Sequence, residues 1–204
     1  VERRPYPTDR PTGRSRLPGG GRVAAVDSDA EQVGCFMDVR YINPFIASVK
    51  HVFKTMLATD VLVSKPLLKE RDEAFADVSA VIGLSGDATG CVVLSFPLAT
   101  SVQAASKFGG VEMDEKHADF ADALGELANM VAGHAKANIT GMDLTISLPS
   151  VVIGKEHVIS QSRLARRLAL PCDSALGRFT VEVVMVVGQK PASKPVAACA
   201  TAHA

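Results

Sequence analysis

Ala76-Asp77-Val78-Ser79-Ala80-Val81-Ile82-Gly83-Leu84-Ser85-Gly86-Asp87-Ala88-Thr89-Gly90-Cys91-Val92-Val93-Leu94-Ser95-Phe96 is the stretch on which the fold turns. Within 74–84, Ala76, Val78, Ala80, Ile82 and Leu84 occupy alternate positions, with Asp77, Ser79 and Gly83 between them. A period of two belongs to a strand with one buried face. Ser85-Gly86-Asp87 is turn chemistry and 89–96 is a second strand-like run, so the stretch reads as a β-hairpin. Strands joined by so short a turn run antiparallel, which excludes a doubly wound parallel sheet.

Upstream, Asn43-Pro44 reads as a helix start, a capping side chain followed by proline at the first helical position. Phe45, Ile46, Val49, Val52, Phe53, Met56 and Leu57 then form one apolar stripe, predicting a helix over 43–57. A strand-like run at 61–68 precedes the hairpin. Downstream, Pro97 opens a short helix that Gly109-Gly110 closes, and Asp114 starts a long helix to about Asn138. Strands are expected at 143–153, 164–171 and 178–187, the last two joined as a hairpin through 173–177. The order is helix and three strands, a helical middle, then helix and three strands, a pseudo-repeat of shape. The class is α+β, an antiparallel sheet of about six strands packed against helices.

The chain has 204 residues, with 22 basic and 22 acidic side chains, 47% apolar residues and no Trp. Residues 1–36 carry four Pro, five Gly, six Arg and five acids without periodicity, the composition of a disordered extension. Met37 follows directly, so 1–36 reads as an upstream extension or a mis-set start. Residues 188–204, with Pro191, Pro195 and six Ala, read as a disordered tail. The domain is then 37–187, holding 14 basic and 17 acidic residues for a net charge of −3. That charge lacks the basic footprint of a nucleic-acid binder. No apolar run reaches the roughly 18–20 residues of a membrane span, so no membrane insertion is expected. Cys35, Cys91, Cys172 and Cys199 are scattered, without zinc-ligand spacing, which fits a reducing cytoplasm.

At 100° per residue, Phe120, Leu124, Leu127, Val131 and Ala135 share the core side of the long helix. Glu115, Asp119, Asp122, Glu126, Asn129, Gly133 and Lys136 share the opposite side. The plain alternative is an ordinary solvated face. Two residues argue against it: Asn129 is a poor helix former in mid-helix, and Gly133 costs about 1 kcal/mol relative to Ala. Gly on an exposed face removes bulk, which suits close approach by another macromolecule. The helix would thus display a carboxylate and a carboxamide three residues apart, one turn along the same face.

Asp122-Ala-Leu-Gly-Glu126-Leu-Ala-Asn129-Met-Val-Ala-Gly133 resembles the D-x3-E-x2-N signature of the CheC/CheX/FliY chemotaxis phosphatases. The similarity extends over most of 37–187, including Leu148-Pro149-Ser-Val-Val-Ile-Gly154. The resemblance implies a CheC-like fold and hydrolysis of the aspartyl phosphate of a CheY-like response regulator. Asn129 would orient the attacking water and Glu126 would pair with the regulator's active-site Lys. Asp122 would support them, with Gly133 and Lys136 on the partner-binding face. It also implies Mg²⁺ on the receiver and no cofactor of the chain's own. Residues 43–57 carry no acidic residue, so a second E-x-x-N centre is missing, which points to the dimeric CheX branch. The flagellar-switch domain that FliY-type members add is not expected here. Pro149 follows Asn129 sooner than the family pattern has it, which predicts a trimmed loop.

Other chemistries are poorly supported. His51, His117, His134, His157 and His203 form no H-x-H or H-x3-H pair, His117 is placed toward the buried side of the long helix, and all five are expected to be structural. Gly83, Gly86 and Gly90 fit turn chemistry rather than a dinucleotide fingerprint. Cys91 is expected as inert core, and Arg163, Arg166 and Arg167 as a solvated basic cluster. Two further readings stay open: a non-catalytic module that binds a receiver or flagellar component, and an enzyme acting on a small molecule. The last needs a deep pocket lined by perturbed polar groups, and the sequence shows none.

Overall fold

The computed structural model describes residues 39–69, 76–159 and 167–188, all within the unit Gly34–Ala204. The extension expected over 1–36, residue 37, and the tail from 189 onward lie outside the described residues. The hairpin forms as expected. Ala76–Gly86 (β3) and Ala88–Phe96 (β4) pair antiparallel from Val78↔Phe96 to Leu84↔Gly90. Gly86 turns the chain at φ 112°, a backbone conformation that favours glycine.

Arg167–Ser174 (β7) and Gly177–Val187 (β8) form the second hairpin, and β8 pairs with β4 from Ala88↔Val187 to Ser95↔Thr180. The expected strand at 164–171 is thus shifted, its first residues lying outside the described ones. Each outer row is cut in two by a proline, which has no N–H for a ladder. The run 61–68 becomes Val61–Val63 (β1) and Leu67–Lys69 (β2), split at Pro66, both paired with β7. The run 143–153 becomes Leu144–Ile146 (β5) and Ser150–His157 (β6), split at Pro149, both paired with β3. Among the described residues, six rows are therefore built from eight strands. Their order is β1 and β2, β7, β8, β4, β3, then β5 and β6. Exchanging the two halves of the chain reverses this order onto itself, so the pseudo-repeat is a pseudo-twofold centred on β4–β8.

The helices differ from expectation at their starts. Val39–Leu57 (α1) begins upstream of Asn43 and carries Pro44 inside it. Buried Ile42 anchors the turn before the proline, offsetting the lost backbone bond. Met56, placed on the apolar stripe, is 41% exposed. Leu98–Gly109 (α2) follows Pro97 and ends at left-handed Gly110, and its first N–H is taken by Asp77 Oδ2 at 2.9 Å. The long helix starts at Phe120, not Asp114, and runs to Asn138 (α3). Asp114 is consumed in a local turn, its Oδ1 accepting from Lys116 N–H at 2.9 Å, which diverts the backbone from a helix.

One sheet face is covered by α1, α2 and α3. The core joins Phe45, Val49 and Phe53 to Leu124, Leu127 and Val131, and to the alternate strand residues Ile82, Val92, Leu94, Val181 and Val183. Phe179 lies between Phe53 and Phe96 with ring centroids 4.6 and 5.3 Å away. By strand alternation Val81, Val93, Glu182 and Ala169, which are in register, face the other way.

Candidate functional site

Helix α3 is rich in Ala and Leu, strong helix formers that also let it pack closely. Phe120, Leu124, Leu127, Val131 and Ala135 are buried as expected, and so are Ala123, Gly125, Ala128 and Ala132 on the flanks. Among the described residues, a helix enclosed on so many sides leaves a narrow strip uncovered. That strip carries Asp122, Glu126 and Lys136, exposed, with Asn129 and Gly133 half-buried. Glu115 and Asp119 precede α3 and do not belong to it.

Asn129 Nδ2 donates to Glu126 Oε2 at 3.3 Å, a long contact that holds the two groups side by side without locking them. Asp122 stands one turn before Glu126, and Lys136 two turns beyond Asn129. A Cβ added at Gly133 would reach only Ile146 Cδ1, at 3.8 Å, so packing does not demand the glycine. Gly125 does have a packing reason: a Cβ there would crowd Pro149 at 3.3 Å. The sequence reading passed over Gly125, although its place four residues before Asn129 marks it as the helix flank beside the site. Chemically, the strip offers an anionic acceptor beside a neutral donor–acceptor amide, within reach of a surface docked against α3.

The other candidates lie away from this strip or outside the described residues. His134 stacks on His51 with centroids 4.5 Å apart, and its Nδ1 is 2.9 Å from Ser48 Oγ. His117 lies before α3 and is partly exposed rather than on its buried side. His157 Nε2 is 2.8 Å from Ser79 Oγ. His203, Cys35, Cys199, Arg163 and Arg166 lie outside the described residues. Arg167 is not solvated: it is buried, with Nη1 3.4 Å from Glu182 Oε2 and Nη2 donating to Ile159 O at 2.9 Å. Cys91 is only half-buried, while burial pushes the Cys172 thiol up to about 12, which leaves it unreactive. A cavity of about 610 Å³, lined by Leu67, Leu68, Pro97 and Phe179 among others, includes no residue of α3. Its Lys69 and Glu182 are paired to each other at 2.6 Å.

The profile of the family described as chemotaxis phosphatase CheX matches residues 78–173. The chain is 31% identical over 137 residues to the CheY-P phosphatase CheX of Thermotoga maritima, an alignment covering 66% of this chain and 88% of that protein. The chain belongs to the CheX family. Among solved structures, the chemotaxis protein CheX of Desulfovibrio desulfuricans superposes with a TM-score of 0.67 at 29% identity, covering 72% of this chain and 99% of that one. A chain of the CheX–CheY–BeF3–Mg²⁺ complex of Borrelia burgdorferi gives 0.63 at 25% identity, covering 72% and 97%. The α+β, CheC-like architecture expected from the sequence is thus that of CheX proteins. No helix of the described residues is long and apolar enough to cross a membrane.

Proposed function

We propose that this CheX-family chain hydrolyses the aspartyl phosphate of a CheY-like receiver, with Asn129 orienting the attacking water and Glu126 pairing with the receiver's active-site Lys. The observation that carries this reading is the outward-facing Glu126–Asn129 pair on the strip of α3 that the described residues leave open. An acyl phosphate is already activated, so placing a water in line supplies most of what the reaction lacks. Water oxygen bonds to phosphorus, the bond from phosphorus to the Asp oxygen breaks, and the electron pair returns to the carboxylate. A carboxamide can hold that water by donating and accepting without setting charge against the phosphoryl oxygens. Glu126 would be repelled by them, and a cation on the partner is its natural counterpart. Asp122 supports the pair, Gly133 and Lys136 border the docking face, and the Mg²⁺ is the receiver's. The chain acts in the cytoplasm, where receivers reside, and as a homodimer like the CheX branch.

The experiment follows phosphoryl decay of CheY-like receivers with the full chain and its variants. Wild type accelerates decay; Asn129→Ala loses about 10²–10³ of that acceleration while still binding the receiver, and Glu126→Lys binds poorly. Equal rates for wild type and both variants overturn the assignment. Receiver binding with unchanged phosphate lifetime would make the chain a non-catalytic module.

A further inference from the structure

The segment between β5 and β6 is built as a rigid ledge beside the α3 strip. From Leu84↔Ile146 to Val81↔Ser150, β3 advances three residues while the facing chain advances four. One extra residue makes a bulge, which bends a strand and re-aims a side chain. The bulge is pinned at three points. Ser147 N–H donates to Gly83 O at 2.9 Å, Ser147 Oγ accepts from Gly83 N–H at 2.9 Å, and the same hydroxyl donates to Leu148 O at 2.7 Å. Ile146 lies beside Gly133, and Pro149 rests on Gly125. Those two glycines are two turns apart with Asn129 midway, so the ledge runs antiparallel to α3 and carries Leu148 past the level of Asn129. Leu148 is 88% exposed, the most exposed of the large apolar side chains among the described residues.

A fold gains nothing from a leucine in water, and a bulge held this firmly cannot fold it back. An apolar group presented on a fixed backbone loses little freedom when a partner covers it, which is what a binding anchor requires. Continuity with the Glu126–Asn129 strip says which partner. We propose that Leu148 is the apolar anchor of the docking surface, packing on an apolar patch of the receiver that flanks its phosphorylated Asp. The anchor sets affinity and receiver choice, while Glu126 and Asn129 serve the polar centre. This rests on the receiver-phosphatase reading above.

The test uses the full chain and the receiver whose phosphoryl decay wild type accelerates most, loaded with beryllofluoride and Mg²⁺ for binding and phosphorylated for turnover. Leu148→Ala is expected to weaken binding and raise KM by about tenfold, as loss of a well-buried leucine contact does, with kcat unchanged. Leu148→Met restores affinity. Ser147→Ala, which unties the ledge but keeps Leu148, lowers affinity by a smaller factor. Unchanged affinity in Leu148→Ala with an active wild type overturns the anchor but leaves the phosphatase reading standing. Loss of self-association with receiver affinity intact also overturns it, assigning the leucine to a second copy of the chain. If wild type accelerates no receiver, the phosphatase reading fails and the anchor with it.

Discussion

Asn129 and its near-isostere Asp differ by one donor and one charge, and that difference isolates what the amide is for. Asp keeps the shape, yet it can only accept, and it brings a second carboxylate against Glu126, whose Oε2 now receives the amide N–H at 3.3 Å. Near a phosphoryl group the added charge repels the oxygens that the reaction must approach. Asn129→Asp is therefore expected to lose as much acceleration as Asn129→Ala, on the order of 10²–10³. Phosphoryl decay measured beside the Ala variant checks this. An Asp variant close to wild type would mean that shape alone suffices and that the amide does not hold the water. Stability should barely change, because the side chain is half-exposed and belongs to no buried network.

The two halves of the pseudo-repeat place α1 and α3 in equivalent positions, but only α3 has acids on its open strip. Gly133 marks the same specialisation. Since a Cβ there meets only Ile146 Cδ1 at ordinary contact distance, Gly133→Ala should stabilise the fold by up to about 1 kcal/mol through helix propensity. It should also weaken receiver binding, since bulk returns to the docking face. Urea unfolding and receiver titration read the two effects separately, and a destabilised variant would make the glycine structural instead. These elements were legible because their signals are local. Alternation at 76–84 gives β3, and the spacing of Leu124, Leu127 and Val131 gives α3 and, opposite it, the Glu126–Asn129 strip. Signals that depend on the other end of the chain were not legible. Pro66 and Pro149 break strands only because β7 and β3 lie beside them, whereas Asp114 failed for a local reason, its side chain serving a turn to Lys116 as readily as a helix start. Gly125 and Leu148 take their meaning from each other's neighbourhood, 23 positions apart in sequence. Arg167 looked like a solvated charge because Glu182, its partner, is on the next strand.

That pairing matters to the molecule as a whole, since it lies on the sheet face turned away from the helices. Glu182 is 5% exposed, with Lys69 Nζ at 2.6 Å and Arg167 Nη1 at 3.4 Å, and it joins β8, β7 and the edge strand β2. Two cations share one carboxylate, so neutralising it leaves both without that partner in a poorly hydrated place. Breaking a buried pair from one side costs about 3–5 kcal/mol, mostly the desolvation of what remains. Glu182→Gln keeps the shape and should destabilise the domain by about 3 kcal/mol, seen as a lower urea midpoint with the slope unchanged. Lys69→Met in the same chain should recover part of the loss, because the cation 2.6 Å from the Glu182 carboxylate, which the Gln no longer neutralises, has gone. Since β8 separates Glu182 from the core under α3, kcat and KM toward the phosphorylated receiver should stay at wild-type values wherever the variant remains folded. A fall in kcat without a fall in stability would instead couple this face of the sheet to the Glu126–Asn129 strip. The strip would then have to be treated as one end of a connected network rather than as a surface that α3 presents on its own.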